Sequence, residues 1–329
     1  MSKRVLITGG RGLLGNAVVR EAVGRGWEVV TLQRTPSGLD NGVSVRDFLG
    51  SITDANVVTA AMNGCDAVIH LAARVGIDGA WGDFERVNVG GTAVVLDAAR
   101  RNDVSAFVHI SSPSVAHAGE PLVGAAADPA DPSNARGHYS RSKAMAEELV
   151  LGQDDVPAVA LRPHLVWGPG DTQLVARIVD RARRGRLFLI DGGTALIDTT
   201  YIDNAASAIC QGLARIDGVR GQALVVSNGE PRPVRDIIAA IVRAAGLSAP
   251  SRSVPFQPAW IVGAGAEAVG SARGVEPPLT RFLVEQLATA HWFDQRHTRA
   301  ALEWEPTVGI DEGMARLQAW FRRGAEAGA

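Results

Sequence analysis

Two residue types are nearly absent from this chain, and one of each falls four positions apart. Of 33 basic side chains in 329 residues only Lys3 and Lys143 are lysines, and Tyr139 and Tyr201 are the only tyrosines. The run Tyr139-Ser140-Arg141-Ser142-Lys143 therefore joins a phenol to a compact ammonium at a spacing that puts both on one face of a helix. Where arginine is used almost everywhere else, a lysine implies a task that a planar guanidinium does not perform. A tyrosine titrates at about 10 in water and works as an acid-base group near neutrality only when a nearby cation stabilises its phenolate. Taken alone, this spacing would more often be an ordinary pair on a solvated helix. A second motif weighs against that reading. Val108-His109-Ile110-Ser111-Ser112-Pro113-Ser114, at the end of a predicted strand, supplies hydroxyls able to polarise a carbonyl oxygen.

A third motif is Thr8-Gly9-Gly10-Arg11-Gly12-Leu13-Leu14-Gly15, with glycines between a predicted strand and a predicted helix. A turn this tight needs residues without Cβ, and the helix N-terminus behind it offers free N–H groups and a favourable dipole to a pyrophosphate. The end of the second strand selects the cofactor in such folds, an acid bonding a ribose 2′-hydroxyl and an arginine accommodating a 2′-phosphate. Here it reads Thr31-Leu32-Gln33-Arg34, with no acid, which favours NADP(H) over NAD(H).

The elements that must position these groups read as strands at Arg4 to Thr8, Trp27 to Leu32, Val43 to Arg46, Ala67 to Leu71, Ala106 to Ile110 and Ala158 to Leu161. Helical segments such as Asp83 to Asn102 and His138 to Leu151 separate them. Alternation at this length predicts an α/β fold with a doubly wound parallel sheet of continuously hydrophobic strands. After Arg162 the rhythm changes to a Gly/Pro turn at Gly168 to Gly170, a basic helix at Gln173 to Gly185 and a hairpin-like stretch at Leu187 to Ile197. Helix Thr200 to Leu213 and strand Gln222 to Ser227 then return the chain to the sheet. The expected division is a Rossmann domain of residues 1–165 and about 198–228, with a smaller substrate lobe of about 166–197 and 229–329. The Pro/Ala/Asp-rich stretch Ala125 to Asn134 is the best candidate for a mobile loop.

Composition sets the outer limits. With 46% apolar residues and net charge −2 the chain is neither disordered nor fibrous. The apolar run Pro258 to Ala266 is far short of the roughly 20 residues of a bilayer span, and no hydrophobic leader follows Lys3 and Arg4, so a cytoplasmic protein is expected. Cys65 and Cys210 read as buried thiols, the seven histidines form no metal-ligating pair, and no metal is expected. The cluster Arg181, Arg183, Arg184 and Arg186 reads as a solvated helix end rather than a nucleic-acid surface.

Together these motifs resemble the extended short-chain dehydrogenase/reductase family over nearly the whole chain. His70-Leu71-Ala72-Ala73, Val87-Asn88-Val89-Gly90-Gly91-Thr92, Leu161-Arg162-Pro163 with Gly168-Pro169-Gly170, and Thr200-Tyr201-Ile202-Asp203-Asn204-Ala205 match it as well. The resemblance implies that Ser112 orients the carbonyl, Tyr139 donates or removes the proton, and Lys143 tunes Tyr139 and holds the nicotinamide ribose. It implies a cofactor site of Gly9, Gly12, Leu13, Leu14, Gly15, Arg34, Leu71, Ala72, Ala73, Ser111, Tyr139, Lys143, Pro163 and Val166. Asn88 resembles a family asparagine that supports a proton relay.

The stretch Leu161 to Asp171 is similar to the 3β-hydroxysteroid dehydrogenase-like branch. Leu32-Gln33-Arg34, Gly79-Ala80-Trp81-Gly82, Pro113-Ser114-Val115, Ser227 to Pro231 and Pro278 to Leu287 resemble bacterial olefin-biosynthesis reductases within it. That resemblance implies NADPH-dependent reduction of the 3-keto group of a 2-alkyl-3-oxoalkanoate to the 3-hydroxy acid. A dehydrogenase of 3β-hydroxysteroids or 4-carboxysterols is the alternative, followed by a nucleotide-sugar epimerase or a non-catalytic NADP sensor. Arg74, His164 and His117 are candidates to meet a substrate carboxylate, and Trp81, Trp167 and Tyr201 to line an apolar cleft. Arg74 stands where the family pattern leads one to expect a lysine. A small hydrophobic substrate, a homodimer and association with pathway enzymes are the expected partnerships.

Overall fold

A computed structural model describes residues 3–39, 45–76, 79–116, 120–273 and 280–327. Its centre is a parallel sheet of seven strands. These are β1 (Arg4–Thr8), β2 (Glu28–Gln33), β3 (Val45–Leu49), β4 (Ala67–His70), β5 (Ala106–Ile110), β7 (Ala158–Pro163) and the later strand Ala223–Val226. Between β5 and β7 the short β6 (Leu122–Ala125) lies outside this sheet. The order across the sheet is Ala223–Val226, β7, β5, β4, β1, β2, β3, reversing direction at β1. Doubly wound sheets bind ligands beyond the carboxyl ends of their strands at such a reversal.

Alternation along the strands feeds two cores. Val5 and Ile7 of β1 pack with Val18, Val19 and Ala22 of α1 (Leu13–Gly24), and Leu6 packs on the other face with Val58 and Met62 of α2 (Ala55–Met62). The strands are buried on both faces as expected, except β3. Arg46, Asp47 and Leu49 of that strand are exposed, because an edge strand is covered less completely. Of the expected strand Val43 to Arg46, residues 43 and 44 lie outside the described residues.

The long helical segment predicted from Asp83 is composite: α3 (Trp81–Phe84), a wider π-helical turn at Glu85–Gly90 that carries Asn88, and α4 (Gly91–Arg101). π-Bulges concentrate at functional positions. The helix α5 (Gly137–Leu151) carries Tyr139 and Lys143. Its buried residues include Lys143 and Glu147, one turn apart. Glu147 is gripped bidentately by Arg162 of β7, Nε to Oε2 at 3.0 Å and Nη2 to Oε1 at 2.5 Å, and both side chains are at most 2% exposed. The remaining arm of Arg162 donates to Asp128 O at 2.7 Å, and Asp131 N donates to Val115 O at 3.0 Å, so the Pro/Ala/Asp-rich stretch is tied to β7 and to the turn Pro113–Val115 that follows β5.

The hairpin expected at Leu187 to Ile197 does not form. Leu189–Ile190 pairs with Ser253–Val254, and Leu196–Ile197 pairs with Arg232–Pro233 and with His291–Phe293, whose other neighbour is β6. The turn between them sends the strands to different sheets, since Asp191, Gly192 and Gly193 all take positive φ and Gly193 abuts the backbone of Arg235. The remaining elements used below are α6 (Leu174–Arg183) and α7 (Ile202–Ala214). Among the described residues no helix is long and apolar enough to cross a membrane.

Removing Arg162 would leave the Glu147 carboxyl buried without its partner, a change that costs about 3–5 kcal/mol in comparable pairs. Arg162→Met is expected to lower the free energy of urea unfolding by that amount, whereas Arg162→Lys should recover part of it. A loss below about 1 kcal/mol would show that the pair is solvated.

Candidate active site

The carboxyl ends of β1, β2, β4, β5 and β7 present, in turn, the glycine-rich turn, Gln33 and Arg34, Leu71 to Arg74, Ser111 and Ser112, and Pro163 and His164. In the turn, Gly9 takes φ +77° and Gly12 N donates to Gly9 O at 3.0 Å. A Cβ on Gly15 would stand 2.1 Å from Gly9 O, so only glycine lets α1 start this close to β1. The helix has no side-chain cap at Gly12 and no acid in its first turn, which leaves its N–H groups to an anion. Two buried acceptors or donors at this edge have no partner among the described residues: Ser111 Oγ, and Gln33 Oε1, which lies 3.1 Å from where a Gly10 Cβ would be. A dinucleotide fits this set, because it brings both a pyrophosphate for the turn and hydroxyls for the orphaned atoms.

The sequence reading looked for an acid on β2 and missed one on β3. Asp47 pairs in register with Thr31 and accepts from Thr31 Oγ1, Ser37 N, Ser37 Oγ and Gln33 Nε2. Burial pushes its carboxyl up, yet these hydrogen bonds outweigh burial and hold it below its usual range. Its oxygens are thus engaged inside the strand pair. The guanidinium of Arg34 is exposed with no partner among the described residues, and Arg11 hydrogen-bonds Thr35 beside it. Parallel pairing across 16 residues of sequence carries no local signal, which is why Asp47 escaped notice.

A second polar set sits beneath the turn. Thr92 Oγ1 donates to Asn88 O at 2.6 Å, so His70 Nε2 must donate to Thr92 Oγ1 at 3.0 Å. His70 Nδ1 then accepts from Thr8 Oγ1 at 2.7 Å, and Thr8 Oγ1 accepts from Ala72 N at 3.1 Å. Burial first, and the Lys143 charge second, lower the His70 pKa to about 3, so the ring is neutral. Asn88 also bridges neighbours: its Oδ1 accepts from Arg74 N at 2.6 Å and its Nδ2 donates to Ser142 Oγ at 2.9 Å and to Arg74 O at 3.0 Å.

Ser112, half-buried at the end of β5, hydrogen-bonds the phenol of Tyr139, and its Oγ lies 2.9 Å from Ser114 Oγ. Burial pushes Tyr139 up to about 12, against the pull of the Ser112 hydrogen bond. Lys143 is 3% exposed, and its Nζ donates to Ile110 O at 2.6 Å and to His109 Nε2 at 3.2 Å. Burial brings its pKa down to about 8, while Glu147 pushes it upward.

Ser112, Tyr139, Pro163 and His164 line one cleft of about 1430 Å³. Its far walls include residues that the sequence did not mark as substrate candidates, among them Leu174, Ile178, Ile238 and Phe293, together with Leu283 and Leu287 of the stretch Pro278 to Leu287. His164 and His291 meet in it, Nε2 to Nδ1 at 3.2 Å, with His291 Nε2 at 2.9 Å from Gln286 O. The structure does not bring the other substrate candidates into this cleft. Arg74 lies over the Phe84 ring, 5.1 Å from its centroid, and Trp81 stacks under Arg141 at 4.6 Å. Trp167 and Tyr201 contact one another edge-on at 5.4 Å within the core, where Trp167 Nε1 donates to Thr199 Oγ1 at 2.9 Å. Val166 pairs with Thr200 in a short parallel ladder. His117 lies outside the described residues.

The glycine geometry yields a test. Gly15→Ala is expected to weaken binding of a reduced nicotinamide dinucleotide by roughly a hundredfold, since each 1.4 kcal/mol of clash is a tenfold loss. Titration of the dinucleotide's fluorescence reads this, and unchanged affinity would remove the turn from the cofactor site.

The sequence of residues 5–227 matches the model of the NAD dependent epimerase/dehydratase family. A Stenotrophomonas maltophilia (strain K279a) protein described as 2-alkyl-3-oxoalkanoate reductase is 40% identical over 326 residues, covering 96% of this chain and 98% of that protein. A Mycobacterium tuberculosis 3 beta-hydroxysteroid dehydrogenase/Delta 5-->4-isomerase is 30% identical over 335 residues, covering 97% of this chain and 90% of that one. Among solved structures, the Bordetella bronchiseptica enzyme WbmH in complex with NAD+ superposes with a TM-score of 0.76 at 23% identity, over 98% of this chain and 99% of that chain, a likeness of fold. The chain belongs to the NAD dependent epimerase/dehydratase family, within the extended short-chain dehydrogenases/reductases, and is an NAD(P)-dependent oxidoreductase.

Proposed function

We propose that this enzyme uses NADPH to reduce the 3-keto group of a 2-alkyl-3-oxoalkanoate. The observation that carries the proposal is the joining of the Ser112 and Tyr139 hydroxyls at one end of a large cleft with apolar far walls. The similarity to the Stenotrophomonas maltophilia reductase supports the same substrate class. In this reading residues 1–165 and about 198–228 hold the cofactor, and the rest of the chain shapes the cleft.

A bound reduced nicotinamide supplies the hydride. Everything else falls to side chains of this chain. Ser112 donates a hydrogen bond to the ketone oxygen, which gains negative charge as the reaction proceeds. Tyr139, kept protonated across neutral pH by its burial, delivers the proton to that oxygen. Lys143 supplies a nearby positive charge that favours the phenolate left behind. The two alkyl chains occupy the apolar walls, and of the side chains considered for the carboxylate from the sequence His164 is one that lines the cleft, together with several arginines such as Arg136 and Arg177. Arg34 and Arg11, flanking the end of β2, favour a 2′-phosphate.

With purified protein, NADPH and a racemic 2-alkyl-3-oxo acid, turnover is expected. Oxidation of a 3β-hydroxysteroid with no reduction of the keto acid would transfer the same residues to a sterol substrate. Tyr139→Phe should lower kcat by about 10²–10⁴-fold and leave the NADPH Kd nearly unchanged. Comparable activity in that variant would sink the mechanism. Arg34→Asp should weaken NADPH far more than NADH, read as the ratio of the two dissociation constants. An unaltered ratio would make Arg34 a surface residue only.

A further inference from the structure

The mechanism leaves unused a buried, chemically capable side chain in direct contact with it. His109 lies at the next-to-last position of β5, between β4 and β7, where its register partners are His70 and Ala160. It is 0% exposed, and its ring centroid is 5.6 Å from that of His70. An ammonium can only donate, so the 3.2 Å contact with Lys143 Nζ requires a lone pair on His109 Nε2 and places the ring proton on Nδ1. That Nδ1 has no partner among the described residues. The neighbouring His70 is the opposite tautomer, with its proton on Nε2, as its bonds to Thr92 and Thr8 dictate. Leaving an N–H unpaired inside a sheet is costly, and the fold accepts that cost on the side of the ring facing away from the lysine.

The geometry points to His109 as a positioning residue, whose Nε2 lone pair joins the Ile110 carbonyl in holding the Lys143 ammonium charged and fixed one helical turn from Tyr139. Of the three N–H bonds of the ammonium, these two acceptors occupy two and leave one directed elsewhere. This deepens the proposed reduction and rests on Lys143 acting as the cation for Tyr139.

The groups that surround the ammonium decide its titration. His109 approaches from β5 and His70 from β4, both kept neutral chiefly by burial. From α5 come Tyr139 and Glu147, the latter already shared with Arg162 of β7. Only Glu147 among them favours the charged lysine through its own charge, while burial opposes it. An acceptor on Nζ therefore matters near neutral pH.

The scarcity of lysine makes the test direct. The full-length protein labelled with [13Cε]lysine gives two side-chain signals, from Lys3 and Lys143. In His109→Met, which fills the space but accepts no strong hydrogen bond, the Lys143 midpoint is expected to fall by about one pH unit, a tenfold weaker hold on its proton. His109→Gln, which restores an acceptor near Nε2, should return it toward the wild-type value. An unmoved midpoint in folded His109→Met, or a midpoint that His109→Gln fails to restore, would overturn the assignment. Should His109→Met not fold, the wild-type imidazole 15N shifts decide: a proton on His109 Nδ1 supports the inference and one on Nε2 overturns it. None of these measurements uses substrate, so failure of the substrate reading shows up separately, in turnover.

Discussion

A positive charge buried one helical turn from Tyr139 is the constraint on which the remainder of this structure turns. Lys143 is almost inaccessible, and burial works against its ammonium. The fold answers with a relay of neighbours: Glu147 one turn along α5, Arg162 from β7 gripping Glu147, and the Ile110 carbonyl and His109 ring receiving the ammonium itself. Each depends on the last. Arg162 also reaches Asp128, so one guanidinium joins the central sheet, the helix that bears the reactive phenol and the segment leading into that helix. An ion pair this deep adds little net stability against a well-packed apolar substitute. Its contribution here is one of register, fixing where α5 lies along the ends of β5 and β7.

The same economy governs the cofactor edge. The approach of α1 to β1 is set by van der Waals contact at Gly15, and the turn is held from behind by Thr8, His70 and Thr92 in a chain whose proton positions are fully determined. That chain ends on Asn88 in the π-helical turn, and the Asn88 amide reaches on to Ser142 of α5. A single buried network thus connects the glycine turn to the helix carrying Tyr139. Beside this network Ser111 Oγ and Gln33 Oε1 are buried without a partner among the described residues, two polar atoms that a dinucleotide's hydroxyls could satisfy.

The substrate cleft is built differently. The end lined by Ser112, Tyr139, Pro163 and His164 is made of strand termini and the first turn of α5, but its far walls come from α6 and from residues beyond position 230, elements distant in sequence from the motifs. Short two- and three-residue strands hold these segments together in separate small sheets, one of which recruits β6 from between β5 and β7. The two ends of the cleft thus rest on different kinds of order, a long parallel sheet at the Ser112 end and a patchwork of short ladders at the far walls.

The amino-acid sequence alone determined the parallel α/β architecture and the glycine turn, and it singled out the serine, tyrosine and lysine of the proposed reactive site, because each rests on local rules. Strand-helix alternation, absent Cβ atoms and an i,i+4 spacing are all visible within a few residues. The scarcity of lysine and tyrosine sharpened the last of these. Only the tertiary structure decided that Leu187 to Ile197 splits between two sheets, that Trp167 and Tyr201 belong to the core and Arg74 to the Phe84 ring, that Asp47 binds Thr31 and Ser37, and that His109 meets Lys143. Those outcomes depend on which segments meet across tens or hundreds of residues, and such meetings are settled by packing and by the pairing of buried polar atoms, which leave no periodic trace in the sequence.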